Sequence, residues 1–361
     1  MRILFLDSGN SWRGGQYQVL NLAMELLRRG QEVLLACQKR SPLHSRAKEK
    51  GLPVEAIRIR GDADVRAWFR AGSILRAFEP TILHAHAGHA HAVAVAATLF
   101  HDVKALVVTR RVAFPVRRDF ASRVKYLRFV SAYVAISSRV AETLREAGVR
   151  PEKIRVIPSS VHIDEFASDE SPEDVRGELA LNEDDFVVLN VGSLTKEKGQ
   201  EDILDVAKVV TSEIPRARFI VAGEGRLLPR LQRRARELGV SSVTRFLGFR
   251  QDIPRLMRAS NVFLFPSRSE GLGTVVLEAM AAGLPVVAAR AGGTEETVRE
   301  GLTGFLVNPG DVSAMAASLR TLHLRPELSR EMSAAARLAV RDFSFSQSCE
   351  KHLELYSELA G

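Results

Sequence analysis

Short apolar runs alternate from end to end with stretches of helical pattern, and this alternation predicts parallel sheets covered by helices on both faces. In the first half, strands are expected at Arg2 to Leu6, Glu32 to Ala36, Ile82 to His84, Ala105 to Val108 and Ala132 to Ile136. A second series is expected at Phe186 to Asn190, Arg218 to Val221, Thr244 to Leu247, Val262 to Phe265 and Pro285 to Ala288, each followed by Gly or Ser and then a helix. Between the series lies Pro158 to Asp185, rich in Ser, Asp, Glu and Pro, which reads as hinge and linker. The expected architecture is α/β, with two Rossmann-like parallel-sheet domains facing a central cleft, the first over residues 1–165 and the second over 166–344. Ligands of such sheets bind outside the carboxyl ends of the strands, so the loops there are expected to hold the chemistry.

Composition narrows the class. At 361 residues the chain exceeds what one core usually serves, and its 46% hydrophobic and 26% charged content is that of a soluble globular protein. No apolar run reaches the roughly 18 residues needed to span a bilayer. The start, MRILFLDSGN, runs straight into a strand and a glycine loop rather than a signal peptide, so a cytoplasmic location is expected. Cys37 and Cys349 match no metal-ligand spacing and read as packing residues of a reducing compartment.

The net charge of +8 is unevenly placed. Between Arg110 and Arg128 there are seven basic residues, Arg110, Arg111, Arg117, Arg118, Arg123, Lys125 and Arg128, against one acid, interleaved with Phe114, Phe120 and Tyr126. Such a stretch could lie on an anionic membrane, contact a phosphorylated acceptor, or be a solvated basic helix. No nucleic-acid motif accompanies it.

The segment SRSEGLGTVVLEAM carries the sharpest chemistry. It sets Glu270 in a glycine loop after the buried run VFLFP, and Glu278 about one turn inside the helix that follows. Gly271 and Gly273 clear the turn of side chains, and Thr274 is placed to cap the helix. Free N–H groups and the positive helix end would face a diphosphate, while the two carboxylates could accept hydrogen bonds from sugar and ribose hydroxyls. In LHAHAGHAHAV, His84, His86, His89 and His91 invite a zinc reading, but no Glu, Asp or Cys accompanies them locally, and no metal is expected. GEG at Gly223 to Gly225 lacks the third glycine and the downstream acid of a dinucleotide fingerprint. Asp62 and Asp64 read as a solvated turn.

The stretch SEGLGTVVLEAMAAGLPVVAARAGGTEE resembles the donor-binding signature of retaining glycosyltransferases of family 4, with Glu270, Gly271, Glu278, Ala279, Gly283, Pro285, Gly292, Gly293 and Glu296 on its pattern. The likeness continues through VAGEGRLLPRL, VTRFLGF and IPRLMRASNVFLFPS, and more weakly through the first half. It implies the GT-B fold, with the acceptor on the first domain and a nucleotide-sugar donor on the second. A last helix, about residues 345–361, would cross back to the first domain.

The resemblance also distributes roles. In VGSLTKEKG, Lys198 takes the family's phosphate-binding lysine position, while Ser193 stands where an arginine is expected, leaving Lys196 as a substitute. Gly14 and Gly15 would let backbone approach the phosphates, and Gly271, Leu272, Gly273 and Thr274 would line the donor. Phe249 and Arg250 fall in the segment whose backbone reads the base, and His86 matches the second histidine of an HxH near the donor sugar. Catalysis would rest on His86, Lys198 and Glu270, with no cofactor and with front-face attack retaining the anomeric configuration. The expected donor is a UDP-sugar and the expected acceptor a lipid-linked or phosphorylated saccharide of the cell envelope. A small soluble acceptor, a nicotinamide-dependent oxidoreductase and a non-catalytic sugar-nucleotide binder are the alternatives.

Overall fold

The computed structural model describes residues 1–116, 125–166 and 173–361 of the chain. These fall into two compact units, one formed by Met1–Ser160 with Phe345–Gly361, the other by Val161–Ser344. The first is built on strands β1 (Arg2–Leu6), β2 (Glu32–Gln38), β3 (Val54–Ile57), β4 (Ile82–Ala85), β5 (Ala105–Arg110), β6 (Ala132–Ala135) and β7 (Ile154–Val156), in the order β3-β2-β1-β4-β5-β6-β7. The second holds β8 (Phe186–Val191), β9 (Ala217–Ala222), β10 (Thr244–Gly248), β11 (Val262–Phe265), β12 (Val286–Ala289) and β13 (Gly304–Val307), in the order β10-β9-β8-β11-β12-β13. All pairings are parallel, and among the described residues helices join most successive strands. This is the expected α/β class.

The ten strands read from the sequence all form, within about two residues at each end. The three that were not read, β3, β7 and β13, are all sheet edges. An edge strand needs a ladder on one side only, so a short run suffices, and Val54–Ile57 or Ile154–Val156 shows too little periodicity to register. In both sheets the strand order reverses next to the first strand of the unit, between β1 and β4 and between β8 and β11. The loops leaving those four strands border the crevice that such a reversal opens.

Two separate cores carry the units. Ile3, Phe5, Val19, Leu26, Leu35 and Val107 belong to one, and Val188, Leu204, Phe219, Leu264, Val287 and Leu319 to the other. The final helix, Phe345–Ala360, packs on the first unit, burying Cys349, His352, Leu355 and Tyr356. Arg29 holds its start through Ser346 Oγ at 2.7 Å and Glu350. Cys37 and Cys349 are both free and buried, and burial pushes their thiols up to about 12 and about 11.

The linker expected from Pro158 to Asp185 is corrected for its described residues. Val161 N donates to Phe343 O at 2.9 Å, and Phe166, Val175, Leu179 and Leu181 are all buried in the second unit. Arg176 donates to Ala259 O at 2.8 Å and Asp185 O at 2.7 Å. Polar composition hid four apolar anchors spaced widely enough to escape a periodicity reading. Among the described residues, no helix is long and apolar enough to cross a membrane.

Candidate functional site

In the second unit the loops after β8 and β11 lock together. Arg268 N donates to Glu197 O at 2.7 Å, and Arg268 Nη2 reaches both carboxylate oxygens of Asp202 at 2.7 and 2.9 Å. Gly199, at φ +68°, lies where a Cβ would come within 2.2 Å of Pro266 O, so only glycine permits this contact. The lock brings Lys198 Nζ to 2.5 Å from Glu270 Oε1, which also accepts from Ser267 Oγ at 2.6 Å. The Glu270 side chain is 10% exposed and that of Lys198 27%. Glu270 Oε2 accepts no hydrogen bond among the described residues. The sequence reading gave Lys198 and Glu270 separate tasks, and the structure makes them one ion pair with an open carboxylate oxygen beside it.

The loop after β12 closes on the same place. Gly292, at φ +65°, would put a Cβ 2.3 Å from Glu270 O, and Gly293 would put one 2.4 Å from Gly271 O. Gly271, Leu272 and Gly273 are thus held by backbone packing and lead into the helix Thr274–Ala281. The expected cap is corrected. Gly273, at φ +80°, occupies the N-cap and no side chain caps the helix, so Thr274 is the first helical residue. The uncapped first turn leaves N–H groups available to an anion.

Glu278, half-buried on that helix, has its carboxyl pushed up to about 7 by burial and, secondarily, by the charge of Glu165. Lys196 and Ser193 are exposed on the loop after β8, where Gln200 Nε2 donates to Ser193 O at 3.0 Å. Phe249 is exposed after β10. The Arg250 guanidinium is committed to Asp252 at 2.7–2.8 Å and to Glu178 at 2.8 Å, and those carboxylates raise its pKa.

In the first unit, Gly14 and Gly15 open the helix Gly14–Arg28, and Arg111 after β5 lies alongside, its Cδ 3.5 Å from where a Cβ of residue 15 would stand. Asp7, fully buried at the end of β1, accepts from Gly9 N at 2.7 Å and Gln16 Nε2 at 3.3 Å, tying this loop closed. Burial raises the Asp7 pKa, opposed by those two bonds and by the charge of Arg111. His84 is wholly consumed by structure, with Nδ1 2.5 Å from Tyr356 Oη and Nε2 2.7 Å from Thr109 Oγ1. The His86 ring packs against it, tilted, with centroids 4.0 Å apart, and against Phe5 at 4.5 Å. Both ring nitrogens of His86 are buried without a partner, and burial holds the imidazole pKa well below its ordinary value. His89 Nδ1 meets Asp62 Oδ1 at 2.5 Å, and buried His91 donates from Nε2 to Lys125 O at 3.0 Å. His84 and His86 thus stay together, while His89 and His91 turn to separate partners.

Two family models match, one described as Glycosyltransferase Family 4 over residues 12–165 and one as Glycosyl transferases group 1 over residues 171–339. The chain belongs to these glycosyltransferases. The putative glycosyltransferase EpsD of Bacillus subtilis is 33% identical over 217 residues, 60% of this chain and 57% of EpsD. The UDP-Gal:alpha-D-GlcNAc-diphosphoundecaprenol alpha-1,3-galactosyltransferase of Escherichia coli is 31% identical over 180 residues, 49% of this chain and 46% of that enzyme. The chain thus spans about half the length of the curated relatives it matches. Among solved structures, Anabaena HepE in complex with UDP superposes with a TM-score of 0.89 at 25% identity, covering 99% of this chain and 100% of HepE, and the fold is GT-B.

Part of the basic stretch is engaged within the first unit. Arg110 donates to Tyr126 Oη at 2.8 Å and to Phe114 O, and Lys125 Nζ donates to Asp62 Oδ2 and Gly88 O, both at 2.8 Å. Arg111 is held beside Ser159 Oγ at 3.4 Å, its pKa lowered to about 10 by burial. These three side chains are engaged by partners within the first unit. Arg128 lies over the Phe129 ring at 5.5 Å, and Arg117, Arg118 and Arg123 fall outside the described residues. The Asp62–Asp64 turn is likewise structural, since Asp64 accepts from Ala67 N and Arg60 N to start the helix Val65–Phe78. Sequence reasoning missed Asp7, Ser267, Arg268 and Asp202. Only Ser267 and Arg268 carried a signal, as the residues directly preceding the Glu270 loop.

Proposed function

We propose that this chain is a retaining glycosyltransferase that moves a sugar from a UDP-sugar to a lipid-linked or phosphorylated saccharide of the cell envelope. The observation that carries the reading is the Lys198–Glu270 pair, held at 2.5 Å beside an uncapped helix start by three interlocked glycine contacts. A cation, free N–H groups and an open carboxylate oxygen at one place suit a diphosphate joined to a sugar. HepE, of similar fold over its whole length, has been solved with UDP-glucose, which favours UDP as the nucleotide. The Escherichia coli relative takes a diphosphoundecaprenol-linked acceptor by its name, which favours a lipid-linked one here.

In this reading Lys198, the first-turn N–H groups of Thr274–Ala281 and the loop Gly271–Gly273 receive the diphosphate, with Lys196 in place of the arginine replaced by Ser193. Glu270 Oε2 accepts a sugar hydroxyl and Glu278 a ribose hydroxyl. The anomeric carbon–oxygen bond breaks with its electron pair going to UDP. The acceptor oxygen bonds on the same face, and its proton passes to the departing phosphate oxygen. Lys198 and the N–H groups stabilise the charge that UDP gains, so no carboxylate nucleophile is required. In the first unit, His86 is the candidate for a sugar hydroxyl, because its two buried nitrogens lack partners at a cost of about 1–3 kcal/mol each, which a ligand could relieve. Attachment to an anionic membrane belongs to the same reading, with Arg128, Arg117, Arg118 and Arg123 as the remaining cations of the basic stretch.

Thermal shift with UDP, GDP, ADP and NAD tests the proposal, since a ligand that binds only the folded state raises the melting temperature. A rise selective for UDP is expected. A rise with NAD alone would overturn the glycosyl-transfer reading.

A further inference from the structure

On the first unit the fold leaves large apolar side chains in solvent at one place. Phe69 is 70% exposed and Phe100 is 65% exposed, and their rings stack with centroids 6.3 Å apart and 23° between planes. Val65 lies one turn before Phe69 on the same helix face, and Leu99 precedes Phe100; both are also exposed. The turn Leu99–His101, which follows the helix Gly88–Thr98, comes close to the helix Val65–Phe78 because Gly72 has no side chain, and a Cβ there would stand 2.8 Å from the His101 ring. The core has no use for these groups. The helix Val65–Phe78 already buries Ala67, Ala71, Ile74 and Leu75 on its other face, and an outer face would ordinarily be polar.

Charge completes the pattern. The helix sequence VRAWFRAGSILRAF carries Arg66, Arg70 and Arg76 and no acid, and all three arginines are exposed. Arg66 and Arg76 make no ion pair among the described residues, and Arg70 meets only the exposed Glu55, at 2.6 Å. The nearest acids in sequence are engaged elsewhere: Asp64 accepts from Ala67 N and Arg60 N, Asp62 meets His89 and Lys125, and Glu79 meets Arg2 at 3.8 Å. Stacked aromatic rings flanked by guanidinium groups match an interfacial helix, whose rings enter the acyl boundary while its cations meet lipid phosphates. A second copy of the chain would instead set arginine against arginine.

We infer that the Phe69–Phe100 face, with Arg66 and Arg76, is the surface by which this protein docks on an anionic lipid bilayer. The inference deepens the lipid-linked acceptor reading and rests on it. Its test uses neither donor nor acceptor, so vesicle binding and UDP recognition can fail independently. The full chain is sedimented with vesicles of about 70% phosphatidylcholine and 30% phosphatidylglycerol, and separately with phosphatidylcholine alone. The comparison variants are Phe69→Ser with Phe100→Ser, and Arg66→Glu with Arg76→Glu. These positions are exposed, so both variants should keep the wild-type circular dichroism and melting temperature. Wild type should pellet with the anionic vesicles, and each double variant should bind about tenfold more weakly or worse. Wild-type binding that either double variant retains in full overturns the proposal, as does wild type that ignores anionic vesicles. A wild-type dimer in sedimentation velocity that the Phe69→Ser, Phe100→Ser variant loses, without vesicle binding, would assign the face to a second copy instead and would also overturn it.

Discussion

Replacing Glu278 by glutamine should make the protein more stable while weakening its hold on UDP-sugars. Burial raises the Glu278 carboxyl from its ordinary 4.5 to about 7, so between those values the folded state binds a proton that the unfolded state has released. Stability contributed at this position therefore falls as pH rises through that window and levels off above about 7. At 1.36 kcal/mol per pH unit the whole window is worth about 3 kcal/mol, an upper figure because the side chain is only half-buried. Glutamine keeps the shape and carries no charge at any pH. Urea denaturation of wild type and Glu278→Gln from about pH 5 to 8.5 should thus show the variant gaining on the wild type with rising pH, by up to about 3 kcal/mol. In the same proteins, calorimetry with UDP-glucose should show weaker binding by the variant at the upper end, where the wild type offers a carboxylate. A stability difference that stays flat with pH would refute the electrostatic argument. Unchanged affinity would instead remove Glu278 from the proposed donor site.

Three further outcomes follow from the geometry. Lys198→Ala removes the cation paired with Glu270, and donor hydrolysis followed by UDP release should slow by roughly 100- to 1000-fold. Gly292→Ala forces a Cβ to 2.3 Å from Glu270 O at a positive φ, and should cost about 1–3 kcal/mol or more, read as a lower melting temperature together with a smaller UDP-induced rise. Tyr356→Phe strips His84 Nδ1 of its partner in the first unit and should cost about 1–3 kcal/mol in urea denaturation, while the UDP-induced rise stays at its wild-type size.

Much of the fold was legible because a parallel α/β sheet writes itself into sequence as separated apolar runs, as VFLF at Val262–Phe265 and VVAA at Val286–Ala289 illustrate. The Glu270 loop was legible for a similar reason. Its glycines, carboxylates and following helix lie within one short segment, so local order sufficed. Val54–Ile57 and Ile154–Val156 were lost because edge pairing needs little apolar sequence, and the residues 158–185 misled because four buried anchors were diluted by polar neighbours.

By itself, then, the sequence determined two parallel-sheet units, the glycine loop bearing Glu270, the helix bearing Glu278 and the lysine loop after β8. Tertiary structure alone decided that Lys198 and Glu270 form one pair, that Asp202 and Arg268 clamp their loops, and that His84 is spent on Tyr356 and Thr109. It also engaged Arg110, Arg111 and Lys125 with partners in the first unit and left Phe69 and Phe100 outside. The physical reason is separation along the chain. Side chains 66 or 72 positions apart, such as Asp202 with Arg268 or Lys198 with Glu270, meet only when adjacent parallel strands bring their loops together at one end of the sheet. Periodicity reports which face a residue takes on its own element, and nothing about the partner it finds on another.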